Sequence, residues 1–198
     1  MNKNQILKVL LKDFNTRNTV TSLSESLNMT RAGVWKILKK LESEKLVVLS
    51  PLGTGRTSTC TVSLYWDNPL VEKILAVLLV EEALKNQRWI ANFSELEPKV
   101  DFLIIYGSII TSPKAANDID IVSIVPFKSG FVEIDNIISK IQKTQIKKIH
   151  ALHFTKDEFR EELTKPNKVF LDALNKGAVL FGHERFVKFM EEEIYHGK

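Results

Sequence analysis

The 198-residue sequence predicts a two-domain α+β protein: an N-terminal helical unit closed by a β-hairpin, then a small α/β unit with a mixed sheet. Three observations predict it. A 3.6-residue apolar rhythm runs through the first 45 or so residues and gives way to two β-prone runs. Further along, nearly continuous apolar runs of strand length alternate with amphipathic helices. Charge is divided unevenly: residues 1–66 carry ten Lys/Arg against four Asp/Glu, and residues 67–198 carry eighteen against twenty, within a net charge of +4. The expected divisions are 1–66, a helical spacer over 67–96, and 97–198.

Composition narrows the class. An apolar fraction of 44% with 26% charged residues is that of an ordinary globular chain, and eight Gly with six Pro exclude a collagen-like or low-complexity one. The longest uncharged run near the middle, Ile74 to Val80, falls far short of the roughly 20 apolar residues a membrane span requires, so no membrane partner is expected. The N-terminus, Met1-Asn2-Lys3-Asn4-Gln5, does not read as a signal peptide. Cys60 stands alone, which excludes an internal disulfide framework and a Cys-based zinc site. A cytoplasmic location is expected.

Ile6, Leu7, Leu10 and Leu11 recur at helical spacing and predict a first helix from about Lys3 to Asp13. A second, short helix carries Leu23 and Leu27, with Thr21 or Ser22 as its cap. Asn28 ends it, because Asn tolerates the left-handed backbone of a tight turn. Thr30 then caps a third helix, Arg31 to about Lys45, whose inner face is Val34, Leu38 and Leu41 with Ile37 at the edge. The β-prone runs Leu46–Leu49 and Thr57–Leu64 flank a turn-forming loop, Ser50 to Arg56, with a basic tip. That loop lacks the Gly-Lys-Ser/Thr ending of a phosphate-binding loop.

The segment Met29 to Glu42 resembles the recognition helix of winged helix-turn-helix regulators, and the likeness covers about Asn4 to Leu64. Duplex DNA is the partner this implies. Arg31, Trp35, Lys36, Lys39 and Lys40 fall off the apolar stripe of the third helix, where they would face a major groove, with Thr30 at its start. Arg56 sits where a wing tip could reach a minor groove or a phosphate. Each cation that neutralises a phosphate releases counterions and adds affinity without reading sequence. The alternative use of such a unit is dimerisation or protein docking, with Trp35 partly in the core.

Pro69 suits the first turn of a new helix, Leu70 to about Lys85, in which Ile74, Leu75, Leu78, Leu79 and Leu84 keep the helical rhythm. Val71, Val77 and Val80 broaden its apolar face, which predicts packing against the second domain or a second copy of the chain. A homodimer is expected, since helix-turn-helix proteins bind paired half-sites.

Val100 to Tyr106 reads as a strand buried on both faces, ending in Gly107-Ser108. An irregular, mobile stretch is expected over Ile109 to Asn117, followed by a strand that opens Asp118-Ile119-Asp120. Residues two apart on a strand share a face, so Asp118 and Asp120 aim together beside the Gly-Ser turn. Two adjacent carboxylates repel unless a cation joins them, and hard dications such as Mg²⁺ take one or two carboxylates plus substrate phosphates. Val132 to Gln142 predicts an amphipathic helix, Ile146 to Phe154 a strand, and Phe186 to Tyr195 a packing helix.

Tyr106-Gly107-Ser108, nine residues, then Asp118-Ile119-Asp120 resembles the Gly-Ser…Asp-x-Asp signature of the DNA polymerase β-type nucleotidyltransferase superfamily. The likeness is nearest to its minimal members and covers roughly Glu97 to Gly182, including the tail Gly177 to Gly182. It implies that Gly107 lets the backbone approach a nucleoside triphosphate and that Ser108 hydrogen-bonds a phosphate oxygen. It further implies that Asp118 and Asp120 hold Mg²⁺ while a hydroxyl displaces pyrophosphate from the α-phosphorus. Two departures stand out. The later strand has His150 where the superfamily brings a third carboxylate, and a neutral imidazole is a serviceable base but a poor Mg²⁺ ligand. The loop after Gly-Ser reads Ile109-Ile110-Thr111 in place of Ala-Arg-Gly, which leaves Lys114 as the nearby cation for phosphate.

His150 and His153 are three apart and face opposite ways, so they do not make a His-His metal site. Asp101, Asp135 and Asp157 are explained by solvation or capping, and Glu158, Glu161 and Glu162 by the dipole of the helix they open. Two functions follow. One is a Mg²⁺-dependent transfer of a nucleotide to a hydroxyl by a DNA-bound enzyme. The alternative is a transcriptional regulator with reduced catalysis, whose second domain senses a nucleotide or dimerises.

Overall fold

The computed structural model describes residues 2–13, 16–52, 59–165 and 168–196. The chain forms two compact units, Met1–Leu78 and Leu79–Lys198. The boundary falls inside the helix predicted as a spacer.

In the first unit, α1 (Asn2–Lys12), α2 (Val20–Ser26) and α3 (Arg31–Ser43) are followed by β1 (Val47–Leu52) and β2 (Thr59–Leu64). The strands pair antiparallel from Val47↔Leu64 to Leu52↔Thr59, and Thr19 adds a single bridge to Thr61. Ile6, Leu7, Leu11, Leu23, Val34, Leu38 and Leu41 are almost wholly buried, so the three helical stripes meet in one core. Each such side chain contributes roughly 1.5–3 kcal/mol on leaving water.

Two helix ends differ from the sequence expectation. The cap of α2 is Thr19, whose side chain accepts the Ser22 amide while the Ser22 hydroxyl accepts the Thr19 amide. Thr21 and Ser22 lie inside the helix because the bridge to Thr61 holds Thr19 extended and starts the first turn earlier. At the other end, α3 stops at Ser43 because Lys45 takes a left-handed φ of 55° and Leu46 N–H closes back on Leu41 C=O. Asn28, at φ 51°, makes the expected tight turn.

Helix α4 (Pro69–Ala83) leads to a 3-10 turn at Leu84–Asn86, α5 (Gln87–Asn92) and a second 3-10 turn at Ser94–Lys99. The second unit continues with β3 (Phe102–Tyr106), α6 (Ser108–Thr111), β4 (Asp118–Ile124), α7 (Phe131–Gln142) and β5 (Lys148–Phe154). It closes with α8 (Lys156–Thr164), α9 (Lys168–Lys176), β6 (Ala178–Phe181) and α10 (His183–His196). The sheet runs β5-β4-β3-β6 and is mixed: β4 and β5 are parallel, the other pairs antiparallel.

Both sheet faces are covered. On one, Leu103, Ile105, Ile119 and Ile121 pack with Phe93, Ile134, Ile138 and Ile141. On the other, Phe102 meets the rings of Phe159, Phe186 and Phe189 at 5.3–6.2 Å. Gly182 closes β6 against β3 at a φ of 73°, where a side-chain carbon would stand 1.9 Å from the Asp101 carbonyl. The aromatic layer fills one end of its face, and the row Tyr106, Asp120, His150 occupies the other.

Candidate functional site

The first candidate surface is the outer side of α3. Thr30 caps it, its hydroxyl oxygen accepting the Gly33 amide at 3.1 Å. With Val34, Leu38 and Leu41 turned into the core, Arg31, Trp35, Lys36, Lys39 and Lys40 are left exposed. Lys39 is engaged within the helix: its ammonium lies 5.0 Å over the Trp35 ring and 2.8 Å from Glu42. Arg31, Lys36 and Lys40 present their charge outward. Arg56 lies outside the described residues.

The second candidate site is built at the end of β4 where Gly107 turns away from β3. Strand pairing sets Tyr106 beside Asp120 and Asp120 beside His150, so all three point to one face. Asp118 lies two residues earlier on the same face. His150 Nδ1 is 3.5 Å from Asp118 Oδ2 and 3.5 Å from Asp120 Oδ1. The side chains of His150, Asp118 and Asp120 are 47%, 35% and 23% exposed, which leaves the corner open to a ligand.

Gly107 sits at φ 80° and ψ −162°, and a side-chain carbon there would come within 2.5 Å of Asp120 Oδ2. The bare backbone therefore seats the Asp120 carboxylate. Ser108 is exposed at the start of α6. The stretch that follows opens with the single turn of α6 and is irregular from Ser112 to Asn117; Ile109 and Ala116 are buried, and the Lys147 ammonium donates to the Pro113 and Ala116 carbonyls. Lys114 stands exposed on this loop, and no ion pair joins it to the acidic residues among the described residues.

Burial and the neighbouring Asp118 carboxylate raise the Asp120 pKa above its ordinary value, against the opposing effect of His150. The same causes, burial first and then Asp120 and Asp118, push the Tyr106 hydroxyl up to about 12, so it stays protonated and can donate. A carboxyl whose pKa is raised by folding stabilises the protein below its unfolded pKa, and that contribution is lost as pH rises through the folded one. At neutral pH the ionised Asp120 therefore costs stability, and a cation bound beside it would offset that cost. Asp120→Asn is expected to raise the melting temperature of the cation-free protein by a few degrees at pH 7 and to leave it unchanged near pH 3, as read by calorimetry.

The carboxylate pair suits Mg²⁺, which binds through one or two carboxylates and keeps its remaining positions for water and phosphate. The imidazole facing both carboxylates does not suit so hard a cation.

The sequence named Tyr106 and His153 without their partners and gave no role to Lys147 or Lys148. Tyr106 and Lys148 share the face of the acidic pair, Lys148 opposite Asp118 in register, and Lys147 tethers the loop. On the opposite face, His153 links Ser123 Oγ (2.6 Å to Nδ1) to Asp135 (3.0 Å from Nε2). Ser123 is fully buried, so this chain of contacts braces α7 against the sheet and offers no nucleophile. Pairing register is the signal that finds these groups, and a single sequence does not carry it.

No helix among the described residues is long and apolar enough to cross a membrane. No curated protein sequence matches the chain. Among solved structures, the adhesin competence repressor AdcR from Streptococcus pyogenes is 19% identical, over 48% of this chain and 65% of its own, with a TM-score of 0.36. A chain of the tri-AMPylated Shewanella oneidensis HEPN toxin in complex with MNT antitoxin is 11% identical, over 59% of this chain and 85% of its own, with a TM-score of 0.37. A mutant of Lactococcus lactis ZitR is 17% identical, over 72% of this chain and 73% of its own, with a TM-score of 0.32. Likenesses at these scores carry no weight for fold or function. Residues 2–48 match the family model described as winged helix-turn-helix DNA-binding. With a basic, exposed third helix and a paired-strand wing behind it, the N-terminus of this chain is a winged helix-turn-helix DNA-binding domain.

Proposed function

We propose that this protein works on DNA as a nucleotidyltransferase, its C-terminal unit binding a nucleoside triphosphate at the corner formed by Gly107, Ser108, Asp118 and Asp120. The observation that carries the reading is the convergence of both carboxylates with the bare Gly107 backbone at one open end of the sheet. Gly107 leaves room for the Asp120 carboxylate beside the turn, and the exposed Ser108 hydroxyl would donate to a phosphate oxygen. Mg²⁺ on Asp118 and Asp120 would neutralise phosphate charge as an acceptor hydroxyl attacks the α-phosphorus and pyrophosphate leaves. Positioning and electrostatics then supply most of the acceleration.

The third carboxylate of the resembled superfamily is replaced by His150, and this favours a second reading: a regulator that binds the nucleotide without turning it over. One experiment separates the two. The protein is incubated with each α-phosphate-labelled triphosphate, Mg²⁺ and a cell extract. Transfer of label to a macromolecule or small acceptor, abolished by Asp118→Ala plus Asp120→Ala, supports the enzyme. Binding without transfer supports the sensor, and no calorimetric heat with any triphosphate removes both.

The proposed homodimer has a surface to form on. Leu70 and Val77 are seven residues apart along α4 and are 59% and 58% exposed. Val77→Glu is expected to convert the dimer to monomer in light scattering and to reduce affinity for a paired half-site by tenfold or more.

A further inference from the structure

We propose that Asp118, Asp120 and His150 together ligate one transition-metal dication of the Mn²⁺ to Zn²⁺ series, in preference to Mg²⁺. The inference rests on the functional reading above but replaces its Mg²⁺ at that same corner, and it assigns His150 to the metal and not to proton transfer.

The spacing of the donors is the first reason. His150 Nδ1 stands 3.5 Å from an oxygen of each carboxylate, and all three ligand atoms lie within 4.8 Å of one another. An N–H···O hydrogen bond spans about 2.7–3.2 Å, so the imidazole stands slightly beyond one from both acids. Donors held about 2.0–2.2 Å from a tetrahedral ion are separated by roughly 3.3–3.6 Å. The distances on both sides of His150 are therefore those between neighbouring ligands of a single ion.

The second reason is how the donors are held. Asp120 and His150 are direct partners in the parallel β4–β5 ladder, and Asp118 precedes Asp120 by two residues on the same face. All three rise from hydrogen-bonded strands, so strand register, and not a loop, sets their geometry. Gly107 adds a wall at the back of Asp120, since a side chain there would occupy the space its Oδ2 fills. With His150 about half exposed, the remaining coordination positions face solvent and a substrate phosphate.

The third reason is donor chemistry. Two carboxylates alone would accept Mg²⁺, but an imidazole nitrogen adds little for a cation that prefers oxygen and keeps its water. For Mn²⁺, Co²⁺, Ni²⁺ or Zn²⁺ the same nitrogen strengthens binding, to an extent that depends on the ion.

The test is calorimetric titration of the chelator-stripped full chain with MgCl2, MnCl2 or ZnCl2 alone, with no nucleotide present. One equivalent of Zn²⁺ or Mn²⁺ is expected to bind at least 100-fold more tightly than Mg²⁺. His150→Ala should cost the transition ions tenfold or more and leave Mg²⁺ unchanged, while Asp118→Asn should weaken all three. Co²⁺ on the unmodified protein provides a second readout: visible absorption bands that His150→Ala shifts or removes. Equal affinity for Mg²⁺ and Zn²⁺, or transition-metal binding and Co²⁺ bands indifferent to His150→Ala, would overturn the proposal. If the ions bind as expected and no triphosphate does, the transferase and sensor readings fall and the metal site stands. If Mg²⁺-dependent triphosphate binding is untouched by His150→Ala and Zn²⁺ is not preferred, the metal site falls and the nucleotide readings stand.

Discussion

Gly107→Ala is expected to destabilise the C-terminal unit by about 1–3 kcal/mol and to reduce triphosphate binding at least tenfold. Two effects act together. At φ 80° and ψ −162° the backbone occupies a region that is essentially reserved for glycine. The new methyl carbon would also stand 2.5 Å from Asp120 Oδ2, well inside contact distance. Either the turn moves or the carboxylate does, and each movement separates the Gly107 backbone from the acidic pair. Urea unfolding should report a lower midpoint at unchanged slope, and calorimetry should report weaker nucleotide binding. Ser108→Ala is the contrasting variant: its side chain is exposed, so stability should hold while binding falls. Unchanged stability and full nucleotide binding in Gly107→Ala would mean that the corner is not the ligand site.

Charge reversal on α3 is expected to have the larger consequence for DNA. Lys36→Glu combined with Lys40→Glu should weaken binding to a duplex on the order of 100-fold near physiological salt and flatten the salt dependence by roughly two counterions. These two lysines are chosen because both are exposed on the outer side of α3, whereas Lys39 already answers to Trp35 and Glu42. Glu42 holds part of that charge, so Lys39→Glu alone should cost less than Lys36→Glu alone. Fluorescence anisotropy at several salt concentrations measures both the affinity and the slope. Retention of the native slope in the double variant would place the DNA contact elsewhere.

Much of the first unit was legible because its signals are local. Buried stripes at Ile6–Leu11 and Val34–Leu41, the Asn28 turn and the Thr30 cap each depend on residues within one or two turns of one another. Thr19 escaped because its capping role depends on a bridge to Thr61, more than forty residues away. In the irregular stretch after Gly107-Ser108, the hydrogen bonds supplied by Lys147, from the approach to β5, escaped for the same reason.

The candidate corner divides along the same line. Alternation along a strand is a property of the local backbone, so the sequence alone placed Asp118 and Asp120 on one face beside a Gly-Ser turn. Which residue would stand next to them was decided by the parallel pairing of β5 with β4, which brings His150 and Lys148 to that face and sends His153 to Ser123 and Asp135 on the other. A one-residue slip of β5 would exchange those faces, and the burial of Ile149 with the packing of α7 fixes the register. Local periodicity thus determined the elements and the paired acids, whereas the position of His150 beside them, which the resemblance alone had named, is set by long-range packing.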